Sequence, residues 1–251
     1  DLGTRKRLQT VQQCQAIEAT PWDQFQHVVF IPGLFHLKMA AAKAFWCVFI
    51  NPTAAREDET SIMRDIAKLY PREVGIFGSK PGFRRMHQLI GHAVACHRLD
   101  CWRIEVKKRN SSHHGLEHFT VSKPTFEDLK LIANQLALDY VADHTVSQKQ
   151  DAQDEQHKNA LLFNKYTLLY KELSYTMNAG VIAGIEACIM PWIFIFKATG
   201  KHKYATHMLN YLVNVHFKYP LVSLLTFCRK AVQYHILVNP TGKPGNFCGV
   251  D

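Results

Sequence analysis

Leu162-Phe163-Asn164-Lys165-Tyr166-Thr167-Leu168-Leu169-Tyr170-Lys171-Glu172-Leu173-Ser174-Tyr175-Thr176-Met177 decides the fold class. Leu162, Tyr166, Leu169, Leu173 and Met177 recur at spacings of three and four, which lays them on one face of a helix. Tyr204, Met208, Tyr211 and Val215 form a second such stripe, and Leu221, Leu225, Cys228 and Val232 a third. The second half of the chain therefore reads as successive helices. No internal repeat or heptad array accompanies them, which argues against a solenoid or a coiled coil.

Upstream of that stretch, Thr125-Phe126-Glu127-Asp128 has the form of a capping box, with a hydroxyl at the N-cap and an acid three residues on. It opens a helix with Leu129, Ile132, Leu136 and Tyr140 on one face. Helical patterns also run over Phe83–Ala95 and around Trp102–Lys108, and a charged helix near Glu57–Leu69 stops before Pro71. Val74 to Gly82 holds three glycines and a proline and reads as a loop, and Asn110 to Gly115 as a polar connection. From Leu34 an alanine-rich helix continues to Asn51-Pro52.

Ahead of it, Val28-Val29-Phe30-Ile31 is β-favouring and apolar enough for a strand buried on both faces, closed by Pro32-Gly33. Thr20-Pro21-Trp22-Asp23 is a helix-start signature for a short helix. The expected fold class is mainly α with a small β component, a helix-rich α/β domain. Its expected parts are residues 1–142 with short buried strands and helices, a polar loop over 143–158, and a helical part over 159–251, together one composite domain.

With 251 residues the chain can bury a large core, and 47% hydrophobic against 20% charged residues is a folded rather than a disordered composition. It begins at Asp1 without a methionine and is expected to be an excerpt from a longer protein. No apolar segment follows Arg5-Lys6-Arg7 as a signal peptide requires. The most apolar window, Val181 to Phe196, contains Glu186 and Pro191 and reads as a buried helix rather than a membrane span. Seven cysteines without regular spacing point to reduced thiols, hence to an intracellular compartment.

The net charge of +9 is uneven. Residues 1–110 carry 17 Lys/Arg against 10 Asp/Glu, residues 111–175 carry 6 against 9, and residues 176–251 carry 7 against 2. Basic flanks around an acidic centre fit a phosphate-rich partner such as nucleic acid, or a solvated surface.

Several short motifs bear on the chemistry. Among 14 histidines, His87, His92 and His97 are five apart, about 140° on a helix, so they do not share one metal. Cys96-His97 with Cys101 approaches ligand spacing but lacks a second paired cluster, so packed or surface histidines are the default and no metal site is assigned. Gly242-Lys243-Pro244-Gly245 is not a phosphate loop, because Pro244 prevents a helix from starting there; it reads as a rigid turn. Gly200-Lys201-His202-Lys203 precedes a helix, so Lys201 and Lys203 are candidate phosphate contacts. Arg84 and Arg85 after Pro81-Gly82, and Lys107-Lys108-Arg109, are similar, the alternative being a solvated face. Gly180 and Gly184 form a small-xxx-small pair suited to close helix packing. No nucleophile elbow, Rossmann fingerprint, HExxH or kinase signature occurs.

Read together, a set of segments resembles an uncharacterised family, a domain of unknown function abundant in mushroom-forming fungi. They are Pro32 to Ala40, Lys80 to His87, Arg98-Leu99-Asp100-Cys101-Trp102-Arg103, Glu172-Leu173-Ser174-Tyr175, Gly200 to Ala205 and Asn239 to Gly245. The resemblance covers nearly the whole chain. It implies transposon association and a ribonuclease-H-like transposase ancestry, with a degenerate core of that type carrying a large helical insertion. That ancestry implies carboxylates binding divalent metal, Mg or Mn, for attack on phosphate.

On that resemblance Asp1 stands where the family has a Gly-Asp pair at a strand end, and Glu172 matches its Glu-Leu/Phe-Ser stretch. These are the candidate catalytic acids. His36 matches a histidine that related transposases precede by a cysteine three residues earlier, where this chain has Gly33. Gly33, His36 and Gly242-Lys243-Pro244-Gly245 are the motif residues. His207 stands where relatives are expected to carry glutamate. The expected function is a transposase-derived, nucleic-acid-associated protein, intracellular and nuclear, without a membrane partner. The alternative is a non-catalytic helical interaction module.

Overall fold

The computed structural model describes residues 2–28, 33–57, 61–73, 75–79, 81–141 and 155–218, and every regular element within them is helical. The α-helices are α1 Leu2–Cys14, α2 Leu34–Phe49, α3 Thr53–Glu57, α4 Ile62–Leu69, α5 Phe83–Arg109, α6 Leu116–Val121, α7 Phe126–Tyr140, α8 Glu155–Ala179, α9 Ile182–Ala198 and α10 His202–Val213. A π-helical turn, Asn214–Lys218, follows α10.

The expected small β component finds no strand among the described residues, and a ribonuclease-H-like core, which needs several paired strands, has no support in them. Val28 is loop, its N–H donating to the Phe25 carbonyl at 3.1 Å; Val29, Phe30 and Ile31 lie outside the described residues. The helix start at Thr20 is half realised. Thr20 Oγ1 accepts from the Asp23 N–H at 3.2 Å, but only turns follow, because Phe25 adopts a left-handed φ of 55°. The stripe over Leu221–Val232, the turn at Asn239–Gly245 and residues 143–154 of the polar loop also lie outside; α8 already begins at Glu155.

The chain divides into two units, residues 45–169 and residues 1–44 with 170–251. In the first, the two patterns expected at Phe83–Ala95 and Trp102–Lys108 join into the single 27-residue helix α5, roughly 40 Å long. They read as separate because the two ends of α5 bury different faces. Met86, Leu89, Ile90, Ala93 and Val94 are buried along its first half, where α4 supplies Ile62, Met63 and Ile66. Val106, farther on, packs with Ile132 and Leu136 of α7 and with Leu116 and Phe119 of α6. The capping box of α7 forms as expected, Thr125 Oγ1 accepting from the Asp128 N–H and Asp128 Oδ2 accepting from the Thr125 N–H at 2.9 Å.

Between Asn51 and the start of α5 the chain is more broken than the expected helix near Glu57–Leu69. Among the described residues only Ile62–Leu69 is helical there, preceded by the one-turn α3. Within the expected loop Val74 to Gly82, the described residues 75–79 and 81–82 are loop, holding one 3-10 turn at Ile76–Gly78. In the early part of α8 the buried face is rotated from the expected one: Phe163, Thr167 and Tyr170 are buried, whereas Leu162, Tyr166 and Leu169 are half-buried. Phe163 makes edge contacts with Phe45 and Phe49, ring centroids 5.6 and 5.3 Å away, and these aromatics draw that face inward.

The second unit is organised around α9, whose Ile185, Cys188, Ile189, Trp192, Ile193, Ile195 and Phe196 are buried. The window read as a buried core helix is one, and no helix of the described residues is long and apolar enough to cross a membrane. α10 lies against α9 through Ala205, Met208, Tyr211 and Leu212, close to the expected stripe. Two glycines set the turns between α8, α9 and α10. Gly180 at φ 68° and Gly200 at φ 73° occupy the left-handed position after a helix end. Beside them Val181 N–H reaches Thr176 O at 2.9 Å and Lys201 N–H reaches Phe196 O at 2.7 Å, the bond pattern of the Schellman motif.

Gly180 and Gly184 therefore do not act as a pair on one helix. Gly180 is a cap, whereas Gly184 is the close-packing position: a Cβ there would overlap Thr176 Cγ2 and stand 3.2 Å from Thr176 Cβ.

Candidate functional site

α1 and α10 contain no acidic residue, and between them they carry Arg5, Lys6, Arg7, His202, Lys203 and His207. α10 forms because its apolar residues sit at helical spacing against α9, which turns the opposite side outward. Lys203 and His207, four residues apart and so about 40° apart around the axis, share that outer side. α1 is polar and mostly exposed, and Leu8 is its one apolar residue that is half-buried among those described. It is held by side-chain hydrogen bonds instead. Gln12 Nε2 donates to the Phe25 carbonyl at 2.9 Å and to the Val28 carbonyl at 3.2 Å.

The second tie is between two basic residues. Arg5 Nη1 donates to His207 Nδ1 at 2.5 Å, so the imidazole accepts with its neutral form. Burial of the ring, and then the Arg5 charge, hold the His207 pKa below its ordinary value. Arg5, Lys6, Arg7 and Lys203 thus lie on two helices that meet at the Arg5–His207 hydrogen bond and carry no carboxylate of their own. At the start of α10 the N-cap Lys201, then His202 and Lys203, stand at the positive end of the helix dipole, where acids rather than cations stabilise. Lys201 Nζ donates to the Thr199 carbonyl at 3.4 Å. The start of α10 thus carries a charge pattern that helix stability does not account for, which makes it a candidate binding position.

The other candidates fall as follows. Arg84 and Arg85 are exposed in the first turn of α5; the Arg85 guanidinium is engaged by the Glu73 carboxylate, with Nε 2.7 Å from Oε2, and by Ser79 Oγ at 3.3 Å. Lys108 and Arg109 at the end of α5 pair with Glu105. Gly33 precedes α2 and the exposed His36 lies in its first turn; a Cβ at position 33 would stand 3.5 Å from His36 Nδ1, so the pair is adjacent but lacks the thiol. His87 stacks on Phe83, His92 meets Tyr70, and His97 Nε2 stands 2.5 Å from Asp65 Oδ2, so the three histidines are packed separately. Asp1 and Gly242, Lys243, Pro244 and Gly245 lie outside the described residues.

Glu172 is an exposed residue of α8 facing α9, its Oε1 3.7 Å from the Cβ position of Gly184. Its charge is felt by Cys188, whose thiol is pushed up to about 11 by burial and then by the Glu172 charge. A protonated thiol is no ligand for Mg or Mn, which need several oxygens. Among the described residues no group of three or more His, Cys, Asp or Glu is placed to hold a metal ion, so these residues do not by themselves supply the donor set of a two-metal site. The α1 side of the basic surface was missed in the sequence. Its visible signal was the absence of acids over residues 2–14, while the partner of Arg5, 202 residues away, had none.

No curated protein and no solved structure matches this chain. A family model described as a family of unknown function (DUF6589) matches residues 1–251. A match over that whole length shows that the chain belongs to DUF6589.

Proposed function

We propose that the chain is a transposase-derived, nucleic-acid-associated module of fungal origin, acting inside the cell and in the nucleus, whose α1–α10 surface binds the phosphate backbone. The absence of acidic residues from α1 and α10, which between them hold Arg5, Lys6, Arg7 and Lys203, carries this reading. Lys6, Arg7, Lys201 and Lys203 are the proposed phosphate contacts here, with Arg84 and Arg85 as a further contact at the start of α5. The transposase ancestry rests on the segment resemblance. Phosphodiester chemistry is not assigned, since the donors around Glu172 do not make an oxygen-rich metal site.

Fluorescence anisotropy with a labelled duplex DNA, titrated between 50 and 200 mM salt, tests it. Binding is expected to weaken linearly in log–log form, by about 0.9 in slope for each phosphate contact. Replacing Lys6, Arg7 and Lys203 together by alanine should reduce the slope by roughly 3 on the same rule. Absence of binding at low salt, or a slope the triple variant leaves unchanged, overturns the reading in favour of an interaction module for a protein partner.

A further inference from the structure

The unit formed by residues 45–169 holds a cavity of about 230 Å³ between α5, α7 and the part of α8 before Tyr170. Its walls are apolar and aromatic, with Trp102 from α5 and Leu136 and Tyr140 from α7. The same segment of α5 that carries part of the family resemblance, Arg98 to Arg103, places Arg98 and Cys101 in the lining. Asn164 Nδ2 donates to the Tyr140 carbonyl at 2.9 Å and ties α8 to the end of α7. Lys108 Nζ donates to the Tyr140 hydroxyl at 3.0 Å and fixes the ring from outside.

Within this lining Arg98 stands out. Its Nε is buried without a hydrogen-bond partner, and no ion pair to Arg98 exists among the described residues. Burial pulls its guanidinium below the ordinary value, and no charged neighbour offsets that pull. Among the described residues the lining supplies no carboxylate. Cys101 is held as a neutral thiol, its pKa raised by burial and then by the Asp100 charge. A half-buried guanidinium in an apolar pocket is costly unless something anionic meets it.

We propose that this cavity binds a small amphipathic anion, a flat apolar body with one terminal carboxylate or phosphate. The anionic group pairs with the Arg98 fork, and the body lies between Trp102, Leu136 and Tyr140. Thr167 also lines the cavity, its Oγ1 donating to the Asn164 carbonyl at 2.8 Å. The cavity is below the range of about 300–1,000 Å³ that holds drug-sized molecules, so the ligand is a single-ring or short-chain compound. The site shares no residue with α1 or α10, and the proposal does not rest on them.

Calorimetric titration of the whole chain with benzoate, phenyl phosphate and uncharged benzyl alcohol tests the proposal. At least one anion should bind saturably, and more tightly than benzyl alcohol; which anion wins identifies the terminal group. Arg98→Met should weaken that anion at least tenfold and leave benzyl alcohol unchanged, and should raise Tm by removing the unmatched charge. Ala137→Trp, an exposed lining position, should abolish binding of all three by filling the cavity while Arg98 remains. Three results each overturn the proposal: neither anion binds the wild type, benzyl alcohol binds as tightly as they do, or Ala137→Trp leaves binding intact.

Discussion

At the scale of single residues, two positions carry consequences that can be measured. His207 accepts from Arg5 only while neutral, and its pKa lies below the ordinary histidine value of about 6.5. The depressed direction means that its contribution is fully present above that value and is lost as pH falls through the folded one. His207→Gln retains an acceptor without a titration, so the urea midpoint of this variant should fall less below about pH 6.5 than that of the wild type. Parallel curves would show that Arg5 does not depend on the ring. Gly184 is the second position. Thr176 is β-branched, and its Oγ1 is bonded to the Glu172 carbonyl at 2.8 Å, so it cannot turn away from a new methyl group. Gly184→Ala should therefore lose about 1–3 kcal/mol despite its better helix propensity. Pairing it with Thr176→Ser should recover part of that loss, and additive effects in the cycle would refute the contact.

Among the elements, α7 is the one most fully written in its own residues. Its cap is local: Thr125 and Asp128 satisfy each other across three positions, and the Thr125 hydroxyl, then its amide, hold the Asp128 carboxyl below its ordinary value. Thr125→Ala should cost about 0.5–2 kcal/mol and let the Asp128 pKa rise, read by chemical denaturation and by carboxyl NMR titration. An unchanged Asp128 titration would mean the cap does not form in solution. α5 shows the opposite case. Its continuity could not be read because its middle buries no side chain fully, and periodicity is visible only where one face stays inward. α8 misled in a similar way: three apolar positions in its first half define a plausible stripe, yet the aromatic contacts of Phe163 rotate the buried face past it. Gly180 and Gly184 were recognisable as glycines of interest, but which one caps and which one packs depended on the left-handed φ of Gly180 and on the approach of Thr176 to Gly184.

For the whole molecule, the unequal anchoring of α1 and α9 within one unit predicts unequal protection. α9 buries seven side chains fully, while no described residue of α1 is buried. Hydrogen exchange should therefore find the α9 amides among the slowest of their unit and α1 opening far more readily, and polynucleotide binding should slow α1 selectively. Equal protection of α1 in the free and DNA-bound chain would count against the basic surface as the contact. What the residues determined alone is the class of element: helices with caps, stripes and breakers at fixed offsets, and an uneven basic charge. These are short-range properties, set by backbone geometry and spacing within about a dozen positions. The strand expected at Val28 to Ile31 lies outside the described residues except for Val28, which is loop. Only tertiary structure decided that Arg5 meets His207, that Arg98 lines an apolar cavity without an acid, and that Glu172 faces a protonated thiol. Each is a contact or charge environment between helices, and it is fixed by which faces the packed core leaves adjacent rather than by separation along the chain.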